Sequence, residues 1–108
     1  MSQETAKGVP AEMAGLVDYQ DGAIVSRRII KGKAGTVTLF AFDIAQSLSE
    51  HTAPFDALVH VLEGSAEVAI AGKSSRLEQG GMIIIPAEEP HSVQAVSRFK
   101  MLLTLVRS

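Results

Sequence analysis

Short runs of β-branched and aliphatic residues alternate with turn-forming Gly, Pro, Asp and Ser from residue 23 to the end of the chain. No stretch in this region has apolar residues at the helical period, and turn signals recur about every six to ten residues, as in sandwiches and barrels. The pattern therefore predicts an all-β fold. The predicted strands are Ala23 to Ile30, Gly35 to Asp43, Ala57 to Leu62, Ala66 to Ala71, Lys73 to Leu77, Met82 to Ile85, His91 to Ala95 and Phe99 to Val106.

The N-terminal segment differs from the rest of the chain. Residues 1 to 22 contain glycine and proline and show no sustained period, so they are predicted to form an arm with one short turn around Met13 to Val17. Residues 23 to 108 are predicted to form the barrel. A chain of 108 residues has room for one domain with a modest core.

Two connections are predicted from their turn chemistry. Glu63-Gly64-Ser65 separates two apolar runs, and glycine permits the positive φ of a tight hairpin. We therefore expect Ala57 to Leu62 and Ala66 to Ala71 to pair as antiparallel neighbours. Two prolines make the segment from Pro86 to Pro90 rigid, because the residue before each proline is held extended. This loop is expected to hold His91 in a fixed position.

Two predicted strands are apolar on both faces, whereas a strand with one wet face should alternate. They contain Val37 to Phe42 and Met82 to Ile85. In so small a protein a second copy is the simplest cover for the outer face, so we predict a homodimer that buries the strands near Gly35 to Asp43. The alternative is that the N-terminal arm alone covers this face.

Charge and cysteine content narrow the classes of partner. The formal net charge is −2 and the Lys and Arg residues are dispersed, which argues against a nucleic-acid partner. No stretch approaches the roughly 20 apolar residues that cross a bilayer, so no membrane partner is expected and the chain is predicted to be cytoplasmic. Because the chain has no cysteine, a metal would need imidazole and oxygen ligands, and His51, His60 and His91 are the whole imidazole supply.

Two segments around the first and last histidines resemble the two conserved segments of small single-domain cupins. They read SEHTAPFDALVHVLEG from residue 49 and GGMIIIPAEEPH from residue 80. Residues that match the family at its spacing are His51, Gly64, Gly80, Pro86 and His91. The resemblance implies a cupin-type double-stranded β-helix, an RmlC-like jelly-roll barrel, in which His51 and His91 point into the same barrel mouth.

The sequence departs from the family's metal-binding pattern at half of the ligand positions. Metal-binding cupins use three histidines and a glutamate. The matching positions here hold His51, Ala53, Ala57 and His91. Glu88 also replaces a family glycine, and Ala45 and Ala95 replace the family's first glycine and terminal asparagine. The implied fold does not depend on these residues, whereas metal-dependent activity does.

His51 and His91 form the candidate site, and three interpretations of the pair stay open. A divalent first-row metal needs about four to six ligands, so two imidazoles leave the remainder to water, substrate or a carboxylate. Asp56, one residue before the family's glutamate position, is the nearest candidate carboxylate, and it reaches the pocket only if the strand register shifts by one residue. Without a metal, either histidine can act as a general base, as in cupins that resemble sugar epimerases. The third interpretation is two pocket-lining histidines that do no chemistry.

Phe55 and His60 are further candidates for ligand contact. Phe55 lies close to His51 in sequence and is the aromatic residue best placed to meet a ligand. Alternation along its strand puts His60 on the face opposite Ala57, so it turns inward only with the register shift that admits Asp56. Otherwise His60 is expected to pack against neighbouring residues or to lie in the dimer interface.

These residues predict a small-molecule-binding cupin with a mostly apolar pocket marked by His51 and His91. It is expected to bind a divalent transition metal weakly or conditionally, and to act as an oxygenase or isomerase on a small, largely apolar organic substrate. The alternatives are a non-catalytic ligand-binding or sensor cupin without a cofactor, and a metal-free acid–base isomerase that uses His51 or His91. Ala53 and Ala57 favour the non-catalytic alternative.

Overall fold

The computed structural model describes residues 5–107, which form nine β-strands in two antiparallel sheets. The strands are β1 (Ile24–Gly32), β2 (Gly35–Phe42), β3 (Ser47–His51), β4 (Asp56–Glu63), β5 (Ala66–Ile70), β6 (Lys73–Leu77), β7 (Met82–Ile85), β8 (His91–Ala95) and β9 (Phe99–Val106). The five-stranded sheet has the order β1-β2-β9-β4-β7, and the four-stranded sheet has the order β3-β8-β5-β6. The all-β prediction is confirmed.

Strand β3 is the element that the sequence does not predict. Its residues read SLSEH, and four of the five side chains are exposed. Only Leu48 packs against the core. A strand with one apolar side chain has no detectable alternation of polar and apolar positions, so its pairing with β8 becomes visible only in the tertiary structure.

The turn at Gly64 connects the two sheets and does not form a hairpin between paired strands. β4 pairs with β7 and β9, whereas β5 pairs with β6 and β8. The predicted antiparallel pairing of these two strands is therefore wrong, because both edges of β4 are occupied by other strands. Gly64 has a φ of 79°, and a Cβ there would overlap the carbonyl oxygen of Arg98. Glycine lets the chain cross close to the start of β9.

The core lies between the inward faces of the two sheets. Phe42 and Phe99 stack with ring centroids 4.5 Å apart, and both side chains are fully buried. Valine and alanine side chains from β4, β5 and β8 fill the space around them. Each fully buried side chain of this size stabilises the fold by about 1.5–3 kcal/mol relative to exposure.

The barrel is filled at one end and more open at the other. Along the inward face of β9, Phe99 and Met101 are 0% and 1% exposed, whereas Leu103 and Leu105 are only partly buried. Ile70 at the end of β5 is likewise partly buried. The inward side chains at the end of β9 are therefore partly open to solvent.

The N-terminal arm covers the outer face of the five-stranded sheet at the filled end. Its 3-10 turn spans Met13–Leu16, as the sequence predicts. Val17 is buried against Leu39 and Ala41 of β2, and the Tyr19 hydroxyl donates a 2.6 Å hydrogen bond to Glu63. The arm therefore buries the outer side of β2 at this end. Cover by the arm was the alternative to cover by a second copy of the chain.

Three non-glycine residues in the described part of the chain adopt positive φ, which costs an L-residue free energy. They are Ala45 (69°), Ala71 (48°) and Glu88 (71°). Ala45 and Glu88 stand where the cupin pattern has glycine, so the structure explains why the pattern has glycine there: the backbone is left-handed at both positions.

Replacing Glu88 with glycine is expected to stabilise the protein. The substitution relieves left-handed strain of about 1–2 kcal/mol and adds backbone entropy to the unfolded chain, so the free energy of unfolding should rise by about 0.5–1 kcal/mol. Urea unfolding measures the change. Glu89→Gly is the matched control, because Glu89 has no positive φ and the same substitution should destabilise. A loss of stability in Glu88→Gly would contradict the strain argument.

Candidate functional site

A β-bulge aims His51 at His91. β3 and β8 pair with Leu48 opposite Val93, and without a bulge Glu50 would lie opposite His91. The extra residue in β3 puts His51 there instead, on the face that Leu48 and Val93 present to the core. The two histidines thus meet at one end of the barrel, and we call this end the histidine end.

The two imidazole rings are in contact. Their centroids lie 4.3 Å apart, and the ring planes meet at 60°. His91 is 8% exposed, whereas His51 is exposed. The His91 ring therefore lines the interior of the barrel, and the His51 ring faces the solvent at the rim of the barrel.

Both histidines are oriented by main-chain carbonyl groups two residues earlier. Nδ1 of His51 lies 2.8 Å from the carbonyl oxygen of Ser49, and Nδ1 of His91 lies 3.0 Å from that of Glu89. A carbonyl oxygen only accepts hydrogen bonds, so Nδ1 carries the proton in each neutral ring. The Nε2 atoms are left with free lone pairs, which can accept a hydrogen bond, take up a proton or bind a metal ion.

Asp56 lies on the outward side of β4 and does not join the histidines. Ala57, its neighbour, is 4% exposed and faces the core opposite Ile85, so the register shift that would admit Asp56 does not occur. Asp56 Oδ1 instead accepts a 2.9 Å hydrogen bond from the Ala87 amide. Within residues 5–107, no three His, Asp or Glu side chains form a group that could hold a metal ion.

The side chain of Asp56 helps to hold the loop that precedes His91. Its bond to Ala87 fixes one side of that loop, and the Glu88 amide donates a 2.8 Å hydrogen bond to the carbonyl of Ala53. These contacts tie the loop between the two prolines to the connection between β3 and β4. Asp56 therefore acts on His91 through the backbone of the loop.

His60 lies on the outer face of the five-stranded sheet. It pairs with Met82 of β7 and Leu102 of β9 and is partly buried. β4 thus alternates as the sequence predicts, with Val59 and Val61 facing the core. The structure does not bring His60 to the other two histidines.

Phe55 is partly buried beside the start of β4, and the Arg107 guanidinium lies 5.0 Å above its ring centroid. A cation at this distance is attracted to the aromatic face. Phe55 therefore has a partner in the free protein, and its contact with a ligand stays a prediction.

The structure adds lining residues that sequence reasoning did not single out. Ile70 of β5 lies directly opposite His91 in the four-stranded sheet. Leu103 and Leu105 of β9 lie on the inward face of the five-stranded sheet and are partly buried. Alternation along β9 indicates which of its residues face inward, but only the packing of the sheets shows that these two lie at the histidine end.

Strongly shifted pKa values occur at the other end of the barrel. The hydrogen bond from Arg98 lowers the pKa of Asp43 to about 2. Burial and the hydrogen bond to Glu63 raise the pKa of Tyr19. Shifted values often mark active sites, but ion pairs that hold a structure together shift them too. Here they belong to contacts that fasten the arm and the end of β2.

Two facing antiparallel sheets, closed into a barrel with paired histidines at one end, define a double-stranded β-helix of the jelly-roll class. The model of the cupin domain family matches residues 29–106. The chain belongs to the cupin family.

Solved structures with the same fold support this assignment. A Streptococcus pyogenes protein of unknown function, SPY1581, is 30% identical and has a TM-score of 0.91, and the match covers 96% of this chain and 91% of that one. A cupin superfamily protein from Desulfitobacterium hafniense is 23% identical with a TM-score of 0.89, covering 95% and 94%.

A cupin 2 conserved barrel domain protein from Leptotrichia buccalis is 39% identical with a TM-score of 0.84, covering 87% of this chain and 46% of that one. This chain therefore spans about half of the Leptotrichia protein. A search of curated proteins gives no significant match. In residues 5–107, no helix has the length and apolar character to cross a membrane.

The hydrogen bonds of the two histidines predict one tautomer for both rings. Nitrogen-15 NMR above the pH at which the rings are protonated should show a protonated Nδ1 and an unprotonated Nε2 in His51 and His91, because the Ser49 and Glu89 carbonyls only accept. His60, whose ring makes no hydrogen bond to a carbonyl group within residues 5–107, serves as the internal reference. A protonated Nε2 in either ring would contradict the geometry.

Proposed function

We propose that this cupin binds a small organic molecule at the histidine end, and that His51 and His91 contact it through their Nε2 atoms. The observation that carries the proposal is the fixed orientation of both rings. Each Nδ1 is held by a carbonyl, and both rings leave Nε2 free. Two adjacent acceptors suit a ligand with two hydrogen-bond donors close together, such as the hydroxyl groups of a vicinal diol or the two N–H groups of a primary amide.

The surroundings of the pair support an otherwise apolar ligand. Leu103, Leu105 and Ile70 are inward side chains that the protein itself buries only in part. Covering them with a ligand removes apolar surface from water, at about 25 cal/mol per Å². An apolar wall with a few convergent polar groups is typical of small-molecule sites.

The donor set does not fit a complete metal centre of the cupin type. His51 and His91 supply two nitrogen ligands, the two other positions of the family pattern hold Ala53 and Ala57, and Asp56 is engaged by the loop. A metal at this site would take most of its ligands from water or the small molecule. Ligand contact at this site therefore rests on the side chains of the chain itself.

A catalytic form of the same proposal uses either free Nε2 as a base. A neutral imidazole that lacks a proton on Nε2 can accept one from a carbon next to a carbonyl and return it to another carbon of the same molecule, which is an isomerisation. The non-catalytic form needs binding alone. The cytoplasmic location predicted from the sequence is compatible with both the catalytic and the non-catalytic form of the proposal.

Ligand contact can be tested by following the histidine ring signals in NMR while small neutral diols and amides are added. Compounds that bind should shift the signals of His51 and His91 together and leave His60 unchanged. His91→Ala should weaken binding about two- to tenfold, the range for loss of one neutral hydrogen bond. His60→Ala is the matched control and should bind normally. Binding that leaves both ring signals unchanged would overturn the proposal.

Metal content is measured on the same proteins by elemental analysis of untagged material purified without chelators. If the histidines contact the ligand directly, the parent and the His51→Ala and His91→Ala variants should all have background metal. The opposite outcome is about one transition metal ion per chain in the parent and none in either variant. It would mean that the two histidines hold a metal ion and do not contact the ligand directly.

A further inference from the structure

A row of barrel-facing residues crosses the five-stranded sheet at the histidine end. The strand register places these residues side by side, with each one paired to the next: Lys31, Thr36, Leu105, Ala57 and Ile85. Ala57 and Ile85 are buried in the core, so the whole row faces inward. The row therefore begins with a lysine on the inward side of β1, in line with Leu105 of the candidate site.

A second row crosses the four-stranded sheet at the same end. Its members are likewise paired one to the next: His51, His91, Ile70 and Lys73. His91 is buried and Ile70 packs against the core, so this row also faces inward. Each sheet thus presents one lysine on its inward side at the histidine end, and both lysines are exposed.

Arg107 continues the inward side of β9 beyond Leu105. Its amide donates a 2.8 Å hydrogen bond to the carbonyl of Ala34, so the pairing of β9 with β2 extends one residue past Val106. Alternation from Leu105 then puts the Arg107 side chain on the inward side of the strand. The contact with Phe55 agrees with this, because Phe55 precedes the outward Asp56 and so continues the inward side of β4.

The Phe55 ring holds the Arg107 guanidinium at the mouth of the barrel. The guanidinium lies 5.0 Å above the ring centroid, and this contact leaves its N–H groups available to a ligand. No carboxylate among residues 5–107 forms an ion pair with Arg107, whereas Arg76 and Arg98 each have one. A planar guanidinium offers two parallel N–H groups that match the two oxygens of a carboxylate. A carboxylate is therefore the ligand group that Arg107 fits.

The inward side of the barrel carries charge of one sign. At the strand positions that the register places on this side within residues 5–107, the charged side chains other than histidine are all basic: Arg28, Lys31 and Lys73. The acidic side chains at the histidine end lie on the outward side of β4, in the bulge of β3 and in the loop before β8: Asp56, Glu50, Glu88 and Glu89. A cleft lined by basic groups attracts anionic ligands.

We propose that the small molecule bound at the histidine end carries a carboxylate, and that the Arg107 guanidinium binds this group. The proposal rests on the proposed function, because it takes a ligand of the two Nε2 atoms as given and adds a charged group to it. Leu105 is the inward residue before Arg107, so apolar surface adjoins the guanidinium. The ligand then has three parts, which are a hydrogen-bond donor for the histidines, an apolar chain and a carboxylate.

Straight-chain amido acids have all three parts and serve as probes. Succinamate, glutaramate and adipamate carry an amide and a carboxylate at increasing separation, and succinamide, glutaramide and adipamide are the neutral diamides of the same lengths. Affinities are measured by calorimetry, and the histidine ring signals are followed by NMR. The best amido acid should bind about tenfold or more tightly than its diamide, because a hydrogen bond to a charged group stabilises more than a neutral one.

Arg107→Gln tests the residue responsible. This variant should bind the amido acid only as tightly as the diamide, and its affinity for the diamide should equal that of the parent. Arg76→Gln is the matched control, because Arg76 is also an exposed arginine but lies on the outward side of β6 beside Glu67. It should keep the full preference for the amido acid. Thermal unfolding of both variants should match the parent, because both side chains are exposed.

The outcomes separate the carboxylate contact from the histidine contact. Diamides that bind as tightly as the amido acids, or a preference that survives in Arg107→Gln, would overturn the carboxylate contact. The proposed function would then stand if the ring signals of His51 and His91 still shift. Amido acids that bind through Arg107 without shifting either ring signal would support the carboxylate contact and overturn the histidine contact. A protein that binds none of these compounds and no neutral diol would overturn both.

Discussion

The two sheets hold each other through one layer of apolar side chains, and every other feature of the molecule depends on that contact. Its centre is the stacked pair of Phe42 and Phe99, with Val59, Val61 and Val68 around it. Neither sheet can bury these side chains alone, because each has only one inward face. The contact fills one end of the barrel completely, so the opposite end is left for the histidine pair and its partly buried neighbours.

The candidate site is built by irregular backbone at the edges of this regular frame. A bulge in β3 places His51 opposite His91, and the loop before His91 passes through a left-handed residue at Glu88. Main-chain carbonyls then select the tautomer of both rings. Bulges and left-handed residues cost free energy that the packed sheets supply, which is a common arrangement at ligand sites.

Much of the barrel is visible in the sequence because its strands alternate or are apolar and are separated by glycine and proline. The eight strands inferred from this pattern all occur, with ends within two residues of the expected ones. The failures have specific causes. β3 has one apolar side chain and gives no pattern. The turn at Gly64 has the composition of a hairpin, but the strands on its two sides belong to different sheets, since both edges of β4 are taken by β7 and β9.

The sequence by itself determined the class of fold and the two histidines of the candidate site, because strand periodicity, turn residues and the spacing of conserved segments are local properties of the chain. Only the tertiary structure decided how these residues meet. Asp56 was the candidate carboxylate for the site, yet it faces outward and holds the loop, while Ile70, Leu103 and Leu105 line the site from distant strands. Their places follow from sheet register and from the packing of one sheet on the other, which join residues far apart in the chain and so leave no local signal.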